Sequence, residues 1–185
     1  MLKTHEREKL INAIVYFAQK TRHCGKTKLF KLLFVLDFEH FRRTGRSVTG
    51  LEYYAWDKGP VPADLHMELD DEPSADFSAA VEIVPESVVD YQLLKIVPKR
   101  AFDPAHFSKR ELRLLDSIAA DYRDKTAKEM VDVTHAENGV WDRVYAKGAG
   151  RWSPIPYELV VEVENAARII EKSKEFSALK QHYAG

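Results

Sequence analysis

Several kinds of chemistry are missing from this 185-residue chain. It has one cysteine, Cys24, so no intramolecular disulfide can form, and neither HExxH nor CxxC spacing gathers metal ligands. Its histidines, His5, His23, His40, His66, His106, His135 and His182, are dispersed along the chain. No GxxxxGKS/T, GxGxxG or GxSxG run supplies a phosphate cradle or a nucleophile elbow. The pair His23-Cys24 invites a thiol mechanism, but adjacent side chains rarely face one another and a nucleophile needs an oriented base. Cys24 is therefore read as a small residue at a helix boundary. No metal, cofactor or catalytic residue is expected, and the chain reads as a binding protein rather than an enzyme.

Long apolar runs are also lacking. No stretch of 18 apolar residues occurs and Met1 opens no signal-peptide pattern, so no membrane partner is expected and the cytoplasm is the expected compartment, in agreement with the cysteine usage. Internal repeats, heptads, low-complexity tracts and long linkers are missing too, which leaves residues 1–185 as one expected domain. Its length suffices for a sizeable core without disulfide or metal support.

What the chain does have is an uneven charge distribution. The formal net charge of -1 hides a basic opening, where residues 1–50 hold 11 Lys and Arg against 4 Asp and Glu. Residues 51–94 reverse this, with Lys58 the only base against 11 acids. Opposed patches of this kind can steer a protein partner, and a basic segment can face phosphates, although a helix with solvated lysines is the commoner meaning. Nucleic acid is accordingly not the expected partner.

Apolar spacing organises the opening. Leu10, Ile11, Ile14, Val15, Phe17 and Ala18 predict an amphipathic helix over Glu6 to Lys20, with Thr4 as its N-cap. After Cys24-Gly25, Thr27 is expected to cap a second helix, in which Leu29, Phe30, Leu32, Leu33, Phe34, Val35, Leu36 and Phe38 leave almost no polar face. Such a helix belongs at the centre of the fold, ending near Gly45 with Arg42 and Arg43 in its last turn. Glu52 to Trp56 has the aromatic content of a strand that Gly59-Pro60 should stop, with Pro62 opening a short helix through Leu69.

Residues 70–80, rich in Asp, Glu, Ser and Pro, are expected to form a solvated acidic loop. Two strands should follow, Val81 to Val84 and Val88 to Val97, bounded by Pro85 and Pro98. Ser108 and Glu111 have capping-box spacing, and Phe107 and Leu112 occupy the positions of a hydrophobic staple. The helix they start has the stripe Leu112, Leu115, Ile118, Ala119 and Tyr122, and Thr126 with Glu129 repeats the box for a shorter helix ending near His135. A final helix should open at Pro156, bury Val160, Val163, Ala167 and Ile170 on one face, and fray over residues 176–185. The expected fold class is α+β, predominantly α-helical, with a compact helical core and a small antiparallel β-sheet.

Three groups of residues invite a functional reading. Asp37 stands on the nearly all-apolar helix, where a carboxylate must find a Lys, an Arg or backbone donors, or else act as a functional acid. Tyr53, Tyr54 and Trp56 suit a half-buried strand, yet aromatics also favour interfaces. Trp141, after the turn-forming Asn138-Gly139, could close the core or stand as an anchor beside His135.

The run Lys28-Leu29-Phe30-Lys31-Leu32-Leu33-Phe34, then Asp37-Phe38-Glu39, Gly45, Tyr53, Trp56 and Gly59-Pro60-Val61, resembles in order and spacing the opening signature of Panacea domains in the SocA-like antitoxin family. The resemblance covers about residues 5–70 and continues through the Phe107-Ser108 capped helix and the stretch from Thr134 to Trp141, while the acidic middle departs from it. It implies an antitoxin that neutralises a cognate toxin protein by direct binding. The SocA-like branch implies the alternative of a proteolytic adaptor that delivers the toxin to a ClpXP-type protease. Partner contact is assigned to Trp56, Asp57 and Lys58 beside the Gly59-Pro60 turn and to His135 and Trp141, since interfaces favour aromatics ringed by polar groups. A DNA-binding regulator using the basic opening, and an enzyme with a site around Asp37 and His135, are the rival readings.

Overall fold

In the computed structural model, which describes residues 5–71, 73–88, 91–136, 139–161 and 163–183, the two helices that bury the most residues form the centre. They are α1 (Glu6–Lys20) and α2 (Lys26–Thr44). A hairpin of β1 (Tyr53–Trp56) and β2 (Gly59–Pro62) follows, then α3 (Ala63–Asp70) and α4 (Ala75–Ala80). A second hairpin pairs β3 (Val81–Val88) with β4 (Tyr91–Pro98), before α5 (Lys109–Asp121), α6 (Ala127–Thr134), α7 (Val140–Tyr145) and α8 (Val163–Tyr183). Two 3-10 turns, Ala146–Gly148 and Tyr157–Val160, fall between the last two helices. The architecture is predominantly helical α+β, with two separate antiparallel pairs among the described residues. Among the described residues, no helix is long and apolar enough to cross a membrane.

α2 is central because its apolar residues cover nearly its whole circumference. Leu29, Leu32, Leu33 and Leu36 are fully buried, each removal from water contributing about 1.5–3 kcal/mol. The helix packs against α1, α5, α6, α8, β2 and β4. Its bounds end as expected at Gly45, which takes φ 72 and donates its N–H to the Phe41 carbonyl. Its start differs from expectation: the N-cap is Gly25, and Thr27 lies inside the first turn. Gly25 bridges Lys95 of β4, and a Cβ there would clash with the Leu93 side chain, so the contact with the hairpin decides the cap. α1 has the expected bounds; Thr4 lies outside the described residues, and His5 occupies the cap position.

Other departures have tertiary causes. Gly59-Pro60 does not stop the strand but forms β2, whose register sets Trp56 opposite Gly59 and Tyr53 opposite Pro62, and Pro62 caps α3 instead of opening it. Within the acidic segment, residues 75–80 form α4 rather than a loop, because Phe77 and Ala80 find the core. Arg7 ties the same region down, donating to Glu68 at 2.6 and 2.9 Å, to Ser74 at 2.6 Å and to Asp76 at 2.9 Å. That guanidinium holds the carboxyls of Glu68 and Asp76 below their ordinary range. Glu72 lies outside the described residues.

β3 runs through Pro85 rather than ending before it, which a two-stranded pair allows because each strand has an unpaired edge. Val89 and Asp90 lie outside the described residues. Both capping boxes form in full, at Ser108/Glu111 and Thr126/Glu129, and Phe107 joins the core with Leu112 packed against it. The buried stripe of α5 is Leu114, Leu115, Ile118 and Ala119, with Leu112 and Tyr122 half-buried at its margins. α8 opens at Val163, since Pro156 leads only into a 3-10 turn, and it is Ile169 that α8 buries, with Ala167 exposed. The helix continues to Tyr183 across most of the segment expected to fray; Ala184 and Gly185 lie outside the described residues.

The apolar surface of α2 is interrupted by four buried polar groups, and each grips a particular segment of the chain. Lys28 donates to the carbonyls of Arg22 and Arg123 at 2.7 and 3.0 Å, Lys31 to Pro60 at 2.7 Å, and His40 Nδ1 pairs with the Arg46 carbonyl at 2.7 Å. Asp37, fully buried, accepts from the N–H groups of Val48 and Thr49 at 2.8 and 2.9 Å, from Thr49 Oγ1 at 2.5 Å and from Tyr53 OH at 2.8 Å. Of the partners expected for it, backbone donors are present, joined by two hydroxyls.

Burial outweighs those donors and pushes the Asp37 carboxyl up to about 6 from a reference of 3.8. The folded state therefore binds this proton more tightly than the unfolded chain. The contribution of Asp37 to stability is full below about pH 3.8 and is lost as pH rises through about 6. Urea titrations across that range should show Asp37→Asn flattening this slope while keeping the fold. Asp37→Ala, which strands several buried donors at about 1–3 kcal/mol each, should lose at least about 3 kcal/mol.

Candidate functional site

The β1–β2 turn stands out because it concentrates aromatic rings and charges on one surface. Asp57 and Lys58 form its tip, both exposed, and Gly59 follows at φ 97. Glycine is required there: a Cβ would approach Lys31 Nζ and Thr134 Oγ1 at 3.0 Å each. Lys31 reaches the turn from α2, and burial pushes its ammonium down to about 7. The turn thus rests on a polar floor supplied by the central helix and the end of α6.

The distant segments converge on this hairpin. His135, just past α6, stacks flat on Trp141 of α7 with ring centroids 3.6 Å apart, and Trp141 stacks in turn on Tyr145 at 4.5 Å. Trp141 Nε1 donates to the Trp56 carbonyl at 3.0 Å. Asp57 accepts from Tyr145 OH at 3.0 Å and from Arg151 at 2.7 and 2.8 Å. Beyond α7 the chain runs along β1: Trp152 N–H donates to Ala55, Ala55 to Ser153 and Ile155 to Tyr53, at 2.9, 2.9 and 2.7 Å. This zipper brings Trp152 edge-on to Trp56 at 4.6 Å, while His66 of α3 lies against the same indole at 4.7 Å.

All five residues singled out in the sequence, Trp56, Asp57, Lys58, His135 and Trp141, are brought together here, in unequal positions. Trp141 is buried, so it supports the surface from beneath; Trp56 is half-buried, and Asp57 and Lys58 are open to solvent. Among the described residues, Trp152 is the one large aromatic that stands exposed, at 56%. Sequence reasoning missed it, along with Tyr145, Arg151 and His66. A tryptophan in the turn-rich stretch Gly148-Ala149-Gly150-Arg151-Trp152-Ser153-Pro154 was the available signal, because loops hold few large apolar residues without a reason.

The chemistry on offer is recognition by apolar and charged contacts. An indole pair ringed by Asp57, Arg151 and Lys58 has the composition of an interface centre with a polar rim. His135 Nε2 is buried with no hydrogen-bond partner among the described residues, and burial together with nearby Lys31 lowers the pKa of that imidazole. No group of three or more His, Cys, Asp or Glu side chains suited to a metal occurs among the described residues. Cys24 is buried and its thiol is pushed up to about 11, so the thiol pairing with His23 has no physical support. Asp37 shares no hydrogen bond with His135 and is occupied by its four donors.

A family model described as "Antitoxin SocA-like, Panacea domain" matches residues 29–142, a span from α2 to the first residues of α7 that includes the turn, His135 and Trp141. No curated protein and no solved structure matches the chain.

Positions of the two tryptophans predict opposite stability effects. Trp141→Ala should cost about 3–5 kcal/mol, the range for removing a buried aromatic. Trp152→Ala should leave the unfolding midpoint within about 0.5 kcal/mol of the wild type, as surface changes do. Chemical denaturation of both variants measures the contrast.

Proposed function

The chain belongs to this SocA-like antitoxin family defined by the Panacea domain, and from that premise we propose that it neutralises a cognate toxin protein by direct binding through the β1–β2 turn. The observation that carries the placement is the open indole of Trp152 against half-buried Trp56, beside Asp57, Arg151 and Lys58. Exposed tryptophan next to arginine is the composition from which interface hot spots are drawn. Trp141, Tyr145 and His135 hold the turn rigid from below, which lowers the ordering cost of binding. The role is non-catalytic occlusion in the cytoplasm.

A co-expression experiment tests the reading. Inducing the neighbouring gene alone should arrest growth, and adding this chain should restore it with a complex that co-purifies. Trp152→Ala and Lys58→Glu should each weaken toxin binding by about thirtyfold or more, the scale of a 2 kcal/mol hot spot, without lowering the unfolding midpoint. Rescue with disappearance of the toxin would instead assign the adaptor role with a ClpXP-type protease. Full rescue by both variants would move the interface off the turn.

A further inference from the structure

Three cations of the basic opening, Lys9, Arg43 and Arg46, join four from later segments in a groove elsewhere on the molecule. Four segments distant in sequence line it, from α1, the end of α2, the start of α5 and the middle of α8, around about 850 Å³. Lys9, Arg43 and Arg46 supply one set of cations, Lys109, Arg110 and Arg113 a second, and Lys172 another. None of the residues of the β1–β2 turn lines it.

The acids in the groove do not cancel these charges. Glu111 is held by Lys9 at 2.7 Å and by the Ser108 N–H at 2.6 Å, Glu6 accepts from Lys180 at 2.5 Å, and Glu175 is the third. Arg43 touches Glu39 at 3.2 Å, and Arg46 lies over the Phe176 ring at 4.3 Å. Lys109, Arg110, Arg113 and Lys172 make no ion pair among the described residues and are exposed. Like charges brought together from four segments repel one another, a standing cost that an anionic ligand would relieve.

The lining also restricts what the anion can be. Among the described residues, Val48 and Phe176 are the only apolar side chains in it, the first buried and the second covered by Arg46. A protein segment needs an apolar anchor at the centre of its interface, and the groove offers none. A duplex reader inserts a convex helix or ribbon into a DNA groove, whereas this surface is concave. A flexible strand with a charge at every unit fits both limits. The geometry points to this groove as a binding site for the phosphodiester backbone of a single-stranded nucleic acid, held by charge with little preference for base. Exposed aromatic platforms for base stacking are missing from the lining, consistent with backbone contact alone.

Fluorescence anisotropy on the full chain with labelled oligothymidylate and oligouridylate tests this. Binding should tighten as salt is lowered, with a slope of about -0.7 in log K against log salt for each phosphate contacted. The double variant Arg110→Glu/Arg113→Glu should weaken binding by about tenfold or more and flatten the slope by about 1.4, with unfolding unchanged. A control with the same charge change outside the groove, Lys128→Glu/Lys174→Glu, should weaken it far less. Equal losses in the two variants, tighter binding of a duplex, or equal competition by polyglutamate would each overturn the assignment, as would no binding at low salt.

Discussion

The carboxylate of Asp37 is the constraint on which the arrangement of the candidate site depends. It sits in the middle of the central helix, and it accepts four hydrogen bonds from one short segment, Val48 to Tyr53. Those bonds fix how the chain turns back after α2 and where β1 begins. The start of β1 sets the register of the hairpin, and the register puts Asp57 and Lys58 at its tip. A hydrophobic helix alone would bury the same area against many alternative loop positions. The buried polar groups specify one of them.

The other polar residues of α2 extend that logic along the helix. Lys31 grips β2 beneath the turn, Lys28 grips the ends of α1 and α5, and His40 grips the connection that follows α2. The second half of the chain then closes over the hairpin through the Trp141 hydrogen bond and the zipper along β1. The candidate surface built this way is packed under its centre and open at its rim, with Trp152 and Arg151 carried by a loop. The basic groove is assembled by the same packing on surfaces that the hairpin does not use.

Much of the fold was legible in the sequence because its signals were local. Helical spacing over Glu6 to Lys20, Gly45 after α2, and the two capping boxes are written in residues a few positions apart. What could not be read there depends on distant partners. Residues 75–80 look like a loop until Arg7 and the core receive them, and Gly25 replaces Thr27 as a cap because Leu93 approaches it. Part of the candidate site was legible: Trp56, Asp57, Lys58, His135 and Trp141 were singled out, and the structure gathers them around one turn. Trp152 and Arg151 belong to the same surface only because residues 152–155 pair with β1, a long-range contact with no local pattern.

Hydrogen–deuterium exchange on this chain, alone and in complex with the toxin co-purified from the co-expressing strain, measures the central claim most directly. The account predicts added protection at the β1–β2 turn and over residues 145–153, with little change in α1 and α2, which are already buried. Protection confined to other surfaces, with the turn and Trp152 exchanging as in the free protein, would contradict it.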